Sequence, residues 1–303
     1  MKLSRYGFDL LVLLEKLGPG KYTQKFLAEE LSISVGLVNK LIRQFSDEGI
    51  ICVENRITRL SDKGLRLLEP HRVKRAIILA AGLSERLAPV TLSVPKPLVT
   101  VKGKRIVDTL IDALLAAEIE DISIVVGYRA DMFSALCEKY PNIKLIENTL
   151  YNQSNNITSL LAAADKIDRC YICDADLYIH NPAIISKYEY DSCFFGVPVA
   201  ETEDWCFSLS GQKLRSLGIG GAKCCRAIFI TYFSEKDSKL LRKDLDAMIN
   251  SLGGKEHRWF DVLFGSSSAY SLDAKLCYAD DVSEVDTMGD LVKLDESYLG
   301  LHL

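Results

Sequence analysis

No apolar run in this chain reaches the roughly eighteen residues that cross a bilayer. The run near the N-terminus, within MKLSRYGFDLLVLLEKLG, is interrupted by Asp9 and Glu15, and no small-residue cleavage site follows it. It reads as a core helix rather than a signal peptide, with no membrane insertion expected. Charge of one sign is lacking too. With 37 Lys and Arg against 41 Asp and Glu, the net charge of −4 gives no general argument for nucleic acid. Histidine is sparse, and His180 and His257 have no evident triad or metal partners. There is no nucleophile elbow, and none of the cysteines sits where a neighbour would activate it. The nine cysteines are odd in number and scattered apart from Cys224–Cys225 and Cys170/Cys173. That argues against a secreted disulfide scaffold. Cys170 and Cys173 lie in a strand-like run, RCYICDADLYI, where residues three apart point to opposite faces. With no second pair at metal spacing, they read as core thiols and not a zinc site. A cytoplasmic location is the expectation.

What is present fits a globular chain of 303 residues with 48% hydrophobic content, enough for one large domain or two unequal ones. Residues 1–70 read as their own unit. Leu10, Leu11, Leu13, Leu14 and Leu17 make an apolar stripe on a helix from Ser4 that Gly18-Pro19-Gly20 ends. Thr23 caps a second helix through Leu31, and Ser34 caps a third to Glu48. Ile50–Val53 and Ile57–Leu60 flank Glu54-Asn55-Arg56 as a short hairpin, and Ser61 starts a last helix. Helix, helix, turn, helix, hairpin resembles the winged helix-turn-helix family. Such a module could offer DNA Ser34, Asn39, Lys40 and Arg43 from the third helix, and Arg56 and Arg59 from the wing. Its eleven Lys and Arg against nine Asp and Glu are weak for tracking phosphates. Dimerisation or intramolecular docking is the competing use, and a homodimer is left open.

Pro70-His71-Arg72-Val73-Lys74 is a polar connection, and residues 71–303 form the second domain. Its organising stretch is residues 75–97, RAIILAAGLSERLAPVTLSVPKP. An apolar strand ends in Ala80-Ala81-Gly82, whose backbone N–H groups can face an anion. Arg86 and Lys96 could add a guanidinium fork and a point charge. The spacing fits neither the Walker loop nor the dinucleotide fingerprint, and by itself also suits an ordinary strand-to-loop connection. Helical patterns from Ile106 and Asp131 alternate with strands at Ile122–Val126, Ile143–Ile146 and Cys170–Cys173. This rhythm predicts an α/β fold, a Rossmann-like mixed, mostly parallel sheet with helices on both faces. Ligands then lie beyond the C-terminal strand ends, where the loop and Asp174/Asp176 both fall. Ser192–Val199, Trp205–Leu209, Leu214–Leu217 and Ala227–Tyr232 read as antiparallel additions.

Within this frame, Asp174 and Asp176 end a strand on one side, suited to a hard cation carried by phosphates or simply to solvation. Asp286 follows a strand over Val282–Val285, or caps a helix. Asn155, Asn156 and Ser159 can meet a pyrimidine edge or cap a helix.

The run LAAGLSERLAPVTLSVPKPLV resembles the signature of the sugar-phosphate nucleotidyltransferase superfamily, L-A-A-G-x-G-x-R followed by P-K. It departs at Ser84, where that pattern has Gly. The asparagine pair with Ser159-Leu160 is most similar to the bacterial phosphocholine cytidylyltransferases. The resemblance covers roughly residues 73–303. It implies transfer of CMP from CTP to phosphocholine, giving CDP-choline and pyrophosphate. Sugar 1-phosphate, phosphoethanolamine or aminophosphonate acceptors, or a nucleotide-sensing regulator, are the alternatives. It also implies Mg²⁺ held by Asp176 and Asp286, with Asp174 behind them or paired with Lys96. Arg86 and Lys96 become the cationic catalytic residues. Leu79, Ala80, Ala81, Gly82, Arg86, Asn155, Asn156 and Ser159 become the nucleotide contacts. A quaternary ammonium is held by aromatic faces and nearby negative charge, which implicates Trp205, Trp259, Asp261 and, less directly, Tyr128.

Overall fold

Ser4, Thr23, Ser34 and Ser61 each accept a hydrogen bond from a backbone N–H three residues on, and each opens a helix. These are α1 (Arg5–Leu17), α2 (Gln24–Glu30) and α3 (Val35–Asp47), then, after a hairpin, α4 (Asp62–Leu68). The computed structural model describes residues 3–265 and 270–300, in two compact units divided between Arg72 and Val73. In the first unit α1 buries Phe8, Leu10, Leu11 and Leu14, and α3 buries Val38, Leu41 and Phe45. The opposite face of α3 leaves Val35, Gly36, Lys40 and Arg43 exposed. Strands β1 (Ile51–Glu54) and β2 (Ile57–Leu60) pair antiparallel from Ile51–Leu60 to Glu54–Ile57. Asn55 and Arg56 turn between them at φ of 52° and 64°. Positive φ at both central residues matches the right-handed twist of a two-residue hairpin.

The second unit opens with β3 (Arg75–Ala80). After the signature loop come the short strands β4 (Thr100–Val101) and β5 (Lys104–Arg105). Then follow α5 (Ile106–Ala116), β6 (Asp121–Val126), α6 (Ser134–Lys139), β7 (Ile143–Glu147), α7 (Ile157–Ala162) and β8 (Cys170–Asp174). Strands β7, β6, β3 and β8 lie side by side and parallel. The near-continuous apolar runs of β3, β6 and β8 are what a parallel sheet covered on both faces requires. Alternation along β3 separates the two cores. Ala76, Ile78 and Ala80 pack with Val107, Leu110, Ile111 and Leu114 of α5. Ile77 and Leu79 pack with Ile157 and Leu160 of α7 on the other face.

Next come β9 (Leu177–Ile179), β10 (Cys193–Ser210), β11 (Lys213–Phe233), α8 (Glu235–Ile249), α9 (Asp261–Gly265), β12 (Asp273–Leu276), β13 (Val282–Glu284) and α10 (Met288–Leu294). β11 pairs antiparallel with β8 and carries the sheet on through β10, beside which β12 runs parallel. The result is a seven-stranded, mixed and mostly parallel α/β sheet, as the alternation predicted. The four strand fragments expected in this half are pieces of β10 and β11. These pair from Cys193–Tyr232 to Ser210–Lys213, with bulges on the way. Their middle, around Glu201 and Gly220, is polar or small and largely exposed, so pairing continues where apolar alternation stops.

One small pairing places the site. β9 and β13 run antiparallel through Ile179–Val282, Tyr178–Ser283 and Leu177–Glu284. The Val285 N–H extends the ladder by donating to the Asp176 carbonyl at 2.9 Å. Asp176 immediately precedes one strand and Asp286 lies just past the other, so the ladder brings residues 110 positions apart in sequence together at the C-terminal edge of the sheet.

Candidate active site

Lys96 lies in a 3-10 turn that Pro95 and Pro97 shape, and only 6% of the residue is exposed. Its stem is covered, and its ammonium donates to Asp176 Oδ2 at 3.0 Å and Asp286 Oδ1 at 2.8 Å. Arg86 reaches the same Asp286 oxygen through Nη2 at 3.0 Å, from a side chain that is 71% exposed. Burial alone would depress the Lys96 ammonium. The two carboxylates more than offset this and hold its pKa above the ordinary value, so it stays charged. The four catalytic residues expected from the sequence are therefore in one ion cluster.

A fifth member was not expected. Glu284 stands two residues before Asp286 and joins Asp176 and Asp286 in a trio whose carboxylate oxygens lie within 4.8 Å of one another. Burial, then the charges of Asp176 and Asp286, push its carboxyl up to about 8, against the pull of Arg226 at 3.4 Å. The signal was present as Glu284-Val285-Asp286, two carboxylates with a period of two flanking a buried Val. Asp174 is not joined to Lys96 by a hydrogen bond. It accepts from the Trp259 indole N–H at 3.3 Å, and burial together with the nearby Asp176 charge raises its carboxyl well above the usual range.

Two cavities adjoin the cluster. One, of about 150 Å³, is lined by Leu79–Gly82, Ser84, Lys96, Asn156, Ser159 and Asp174–Asp176. It gathers six of the predicted nucleotide contacts. Asn156 is braced by accepting the Trp259 backbone N–H at 2.9 Å, and Ser159 by accepting from Asn148 at 3.0 Å. Ser84 enters this loop at φ 56°, ψ 41°, the left-handed region. It thus keeps the backbone step that glycine would make freely. Its carbonyl is tied by the Thr91 hydroxyl at 2.9 Å and the Leu87 N–H at 3.2 Å. The other cavity, of about 460 Å³, is lined by Arg86, Asp204, Trp205, Arg226, Phe229, Glu284 and Asp286, among others.

The remaining predicted residues separate. Asn155 is outside both linings, its carboxamide oxygen turned back on the Asn156 N–H. Tyr128 donates to the Thr91 carbonyl at 3.2 Å, and Asp261 accepts from the Arg258 N–H at 2.8 Å at the start of α9. Neither lines either of these two cavities. Trp259, expected to present an aromatic face to a substrate, is wholly buried against Phe233 and Phe260. Its volume belongs to the core, and only its N–H looks toward the site. Trp205 does line the larger cavity, with the Arg258 guanidinium 4.9 Å over its ring and Phe260 packed edge-on at 5.2 Å.

Residues 75–188 match the family model for nucleotidyl transferase. The chain is 36% identical over 230 residues to the 2-aminoethylphosphonate cytidylyltransferase of Lancefieldella rimae, covering 75% of this chain and 94% of that one. This chain belongs to the nucleotidyltransferase family. The nucleotidyltransferase is also 26% identical over 219 residues to the choline-phosphate cytidylyltransferase of Haemophilus influenzae, covering 71% and 93% of the two chains. In three dimensions it resembles the CTP:phosphocholine cytidylyltransferase of Streptococcus pneumoniae, with a TM-score of 0.69 and 28% identity over 75% of this chain and 99% of that one. Among the described residues of this nucleotidyltransferase, no helix is long and apolar enough to cross a membrane.

Proposed function

We propose that the chain is a cytidylyltransferase that transfers CMP from CTP to a small phosphonate or phosphate carrying an amine, with 2-aminoethylphosphonate the first reading. The acceptor's phosphoryl oxygen attacks the α-phosphorus, the bond to the β-phosphate oxygen breaks, and pyrophosphate leaves. A phosphate monoester or phosphonate already carries an ionised oxygen near neutral pH, so the attacking oxygen arrives as an anion and no strong general base is required. The work left to the protein is alignment and neutralisation of charge. The observation that carries this reading is the cluster of Lys96 and Arg86 on Asp176 and Asp286, with a cavity on either side. Lys96 and Arg86 would hold phosphate oxygens, and the loop at Leu79–Gly82 the nucleoside. The residues also fit a divalent cation. Asp176 Oδ1 is a buried oxygen without a hydrogen bond, beside two more carboxylates. Asp176 and Asp286 would hold Mg²⁺, which when bound supplies charge neutralisation on the phosphates.

The choice of acceptor rests on the larger cavity. A trimethylammonium group needs aromatic faces, yet Trp259 is buried and Trp205 already carries a guanidinium. A primary ammonium needs acceptors for three N–H groups. Asp204, in the same lining, is an exposed carboxylate able to serve. Phosphocholine is the second reading, supported by the likeness to the Streptococcus pneumoniae enzyme. Competition between 2-aminoethylphosphonate and phosphocholine, with CTP and UTP compared and pyrophosphate followed, tests both choices. The primary amine is expected to have the higher kcat/KM, and Asp204→Asn to raise its KM about tenfold through a lost charged hydrogen bond. A higher kcat/KM for phosphocholine overturns the first reading in favour of the second.

For the N-terminal unit we propose a winged helix-turn-helix with α3 as the recognition helix, on the strength of its exposed Val35, Gly36, Lys40 and Arg43. A mobility shift with duplex DNA that weakens with salt and in Lys40→Glu is the expected result. No shift at low salt would leave docking or dimerisation as its use.

A further inference from the structure

Lys96 uses the oxygens that a divalent cation would need. Its Nζ is 3.0 Å from Asp176 Oδ2 and 2.8 Å from Asp286 Oδ1, bridging the pair. A Mg²⁺ or Mn²⁺ ion held by the same carboxylates would displace the ammonium or meet its repulsion. Arg86 shares the Asp286 oxygen, but its side chain is 71% exposed and can swing into water. Lys96 has no such exit, since its side chain is only 8% exposed and its stem is held in the turn between two prolines. Withdrawing it from both carboxylates leaves a sequestered ammonium unpaired, which is costly unless another anion takes it. A nucleotide phosphate entering beside Lys96 is such an anion.

We infer that Lys96 is an internal counter-cation that makes nucleotide and divalent-cation binding interdependent: it competes with the cation for Asp176 and Asp286 until a phosphate draws it away. The inference rests on the reading of Asp176 and Asp286 as metal ligands. Coupling of this kind is reciprocal, so bound cation also favours the nucleotide by offering Lys96 to it. Its effect is to disfavour a cation seated alone at the carboxylates, and to deliver Lys96 to the phosphates when both ligands are present. Asp176 Oδ1, buried and without a hydrogen bond, gives an arriving cation an oxygen that Lys96 does not hold.

The test uses Mn²⁺ alone, with the full chain and no nucleotide, read by the loss of the free-ion electron paramagnetic resonance signal. Lys96→Met keeps the apolar stem and removes the charge. Lys96→Gln is the second variant should Met disturb the turn, and circular dichroism checks the fold of both. Binding at least tenfold tighter than wild type, and lost again in Lys96→Met/Asp176→Asn, is the expected result. A rise in melting temperature with Mn²⁺ that is larger in the Lys96 variants than in wild type would agree with it. If wild type binds Mn²⁺ in a manner that Asp176→Asn abolishes, and Lys96→Met and Lys96→Gln bind it no more tightly, the inference is overturned and the metal-ligand reading stands. If neither wild type nor either Lys96 variant shows binding sensitive to Asp176→Asn, both fall.

Discussion

Asp176→Asn and Asp286→Asn should each lower kcat/KM at least about a thousandfold, on the order of 4 kcal/mol of transition-state stabilisation. In the proposed reaction these carboxylates would hold a cation beside two basic side chains and the substrate phosphates, in a partly dry site where charge counts for more than in water. The substitution preserves volume and removes only the charge. Stability should change far less than activity, because Lys96 keeps one carboxylate in either variant, at 3.0 Å from Asp176 or 2.8 Å from Asp286. Removing one partner of a wholly buried pair costs about 3–5 kcal/mol. Here the aspartate side chains are 23% and 30% exposed, so the loss should be well below that figure. Initial rates of pyrophosphate release, measured beside thermal unfolding by circular dichroism, separate the two effects. Turnover within tenfold of wild type in either variant would remove that aspartate from the cation site. A melting temperature that collapsed along with the rate would instead make the cluster structural.

The parallel half of the sheet was legible because strands buried on both faces are almost wholly apolar, as Ala76–Ala80 and, apart from Ser123, Ile122–Val126 are. Cap residues made the helix starts legible at Thr23 and Ser34. The site was legible as a list of residues, but the device that assembles it was not. Leu177-Tyr178-Ile179 continues the apolar run of β8, and nothing in the sequence marks a new strand after the Asp174-Ala175-Asp176 turn. Its partner Val282–Glu284 is distant in sequence, and such pairing is invisible to local pattern. Without that ladder Glu284 has no reason to be counted, although it alternates with Asp286. The β10/β11 hairpin was cut into fragments for the opposite reason. Its exposed middle has no apolar alternation, yet backbone hydrogen bonds need none. Trp259 was expected at the substrate because the carboxylate Asp261 stands two residues on, yet its ring is buried in the core. Flanking charge reports where neighbouring side chains go, not the direction of the ring between them.

That misreading leads to the second large expected effect. Trp259→Ala should cost about 3–5 kcal/mol of stability, the range for emptying a large buried aromatic site. Globular domains have about 5–15 kcal/mol in all, so unfolding near 37 °C is within reach. The ring is fully buried, 5.9 Å centre to centre from Phe260 and 6.5 Å from Phe233. The same residue spans core and site, since its indole N–H donates to Asp174 and its backbone N–H to Asn156. Trp259→Phe separates these roles. It keeps most of the apolar volume and the backbone bond, and deletes the donor to Asp174 together with a small part of the ring. Its cost should be about 1–3 kcal/mol, the penalty for leaving a sequestered carboxyl without that partner. The KM for the acceptor amine should stay within about threefold in Trp259→Phe, because burial gives a solute no access to the ring. Urea unfolding and steady-state kinetics on both variants decide the matter. Were Trp259→Ala to unfold at the wild-type midpoint while raising acceptor KM alone, the indole would be a substrate face after all, and its buried packing would have to open when the acceptor binds.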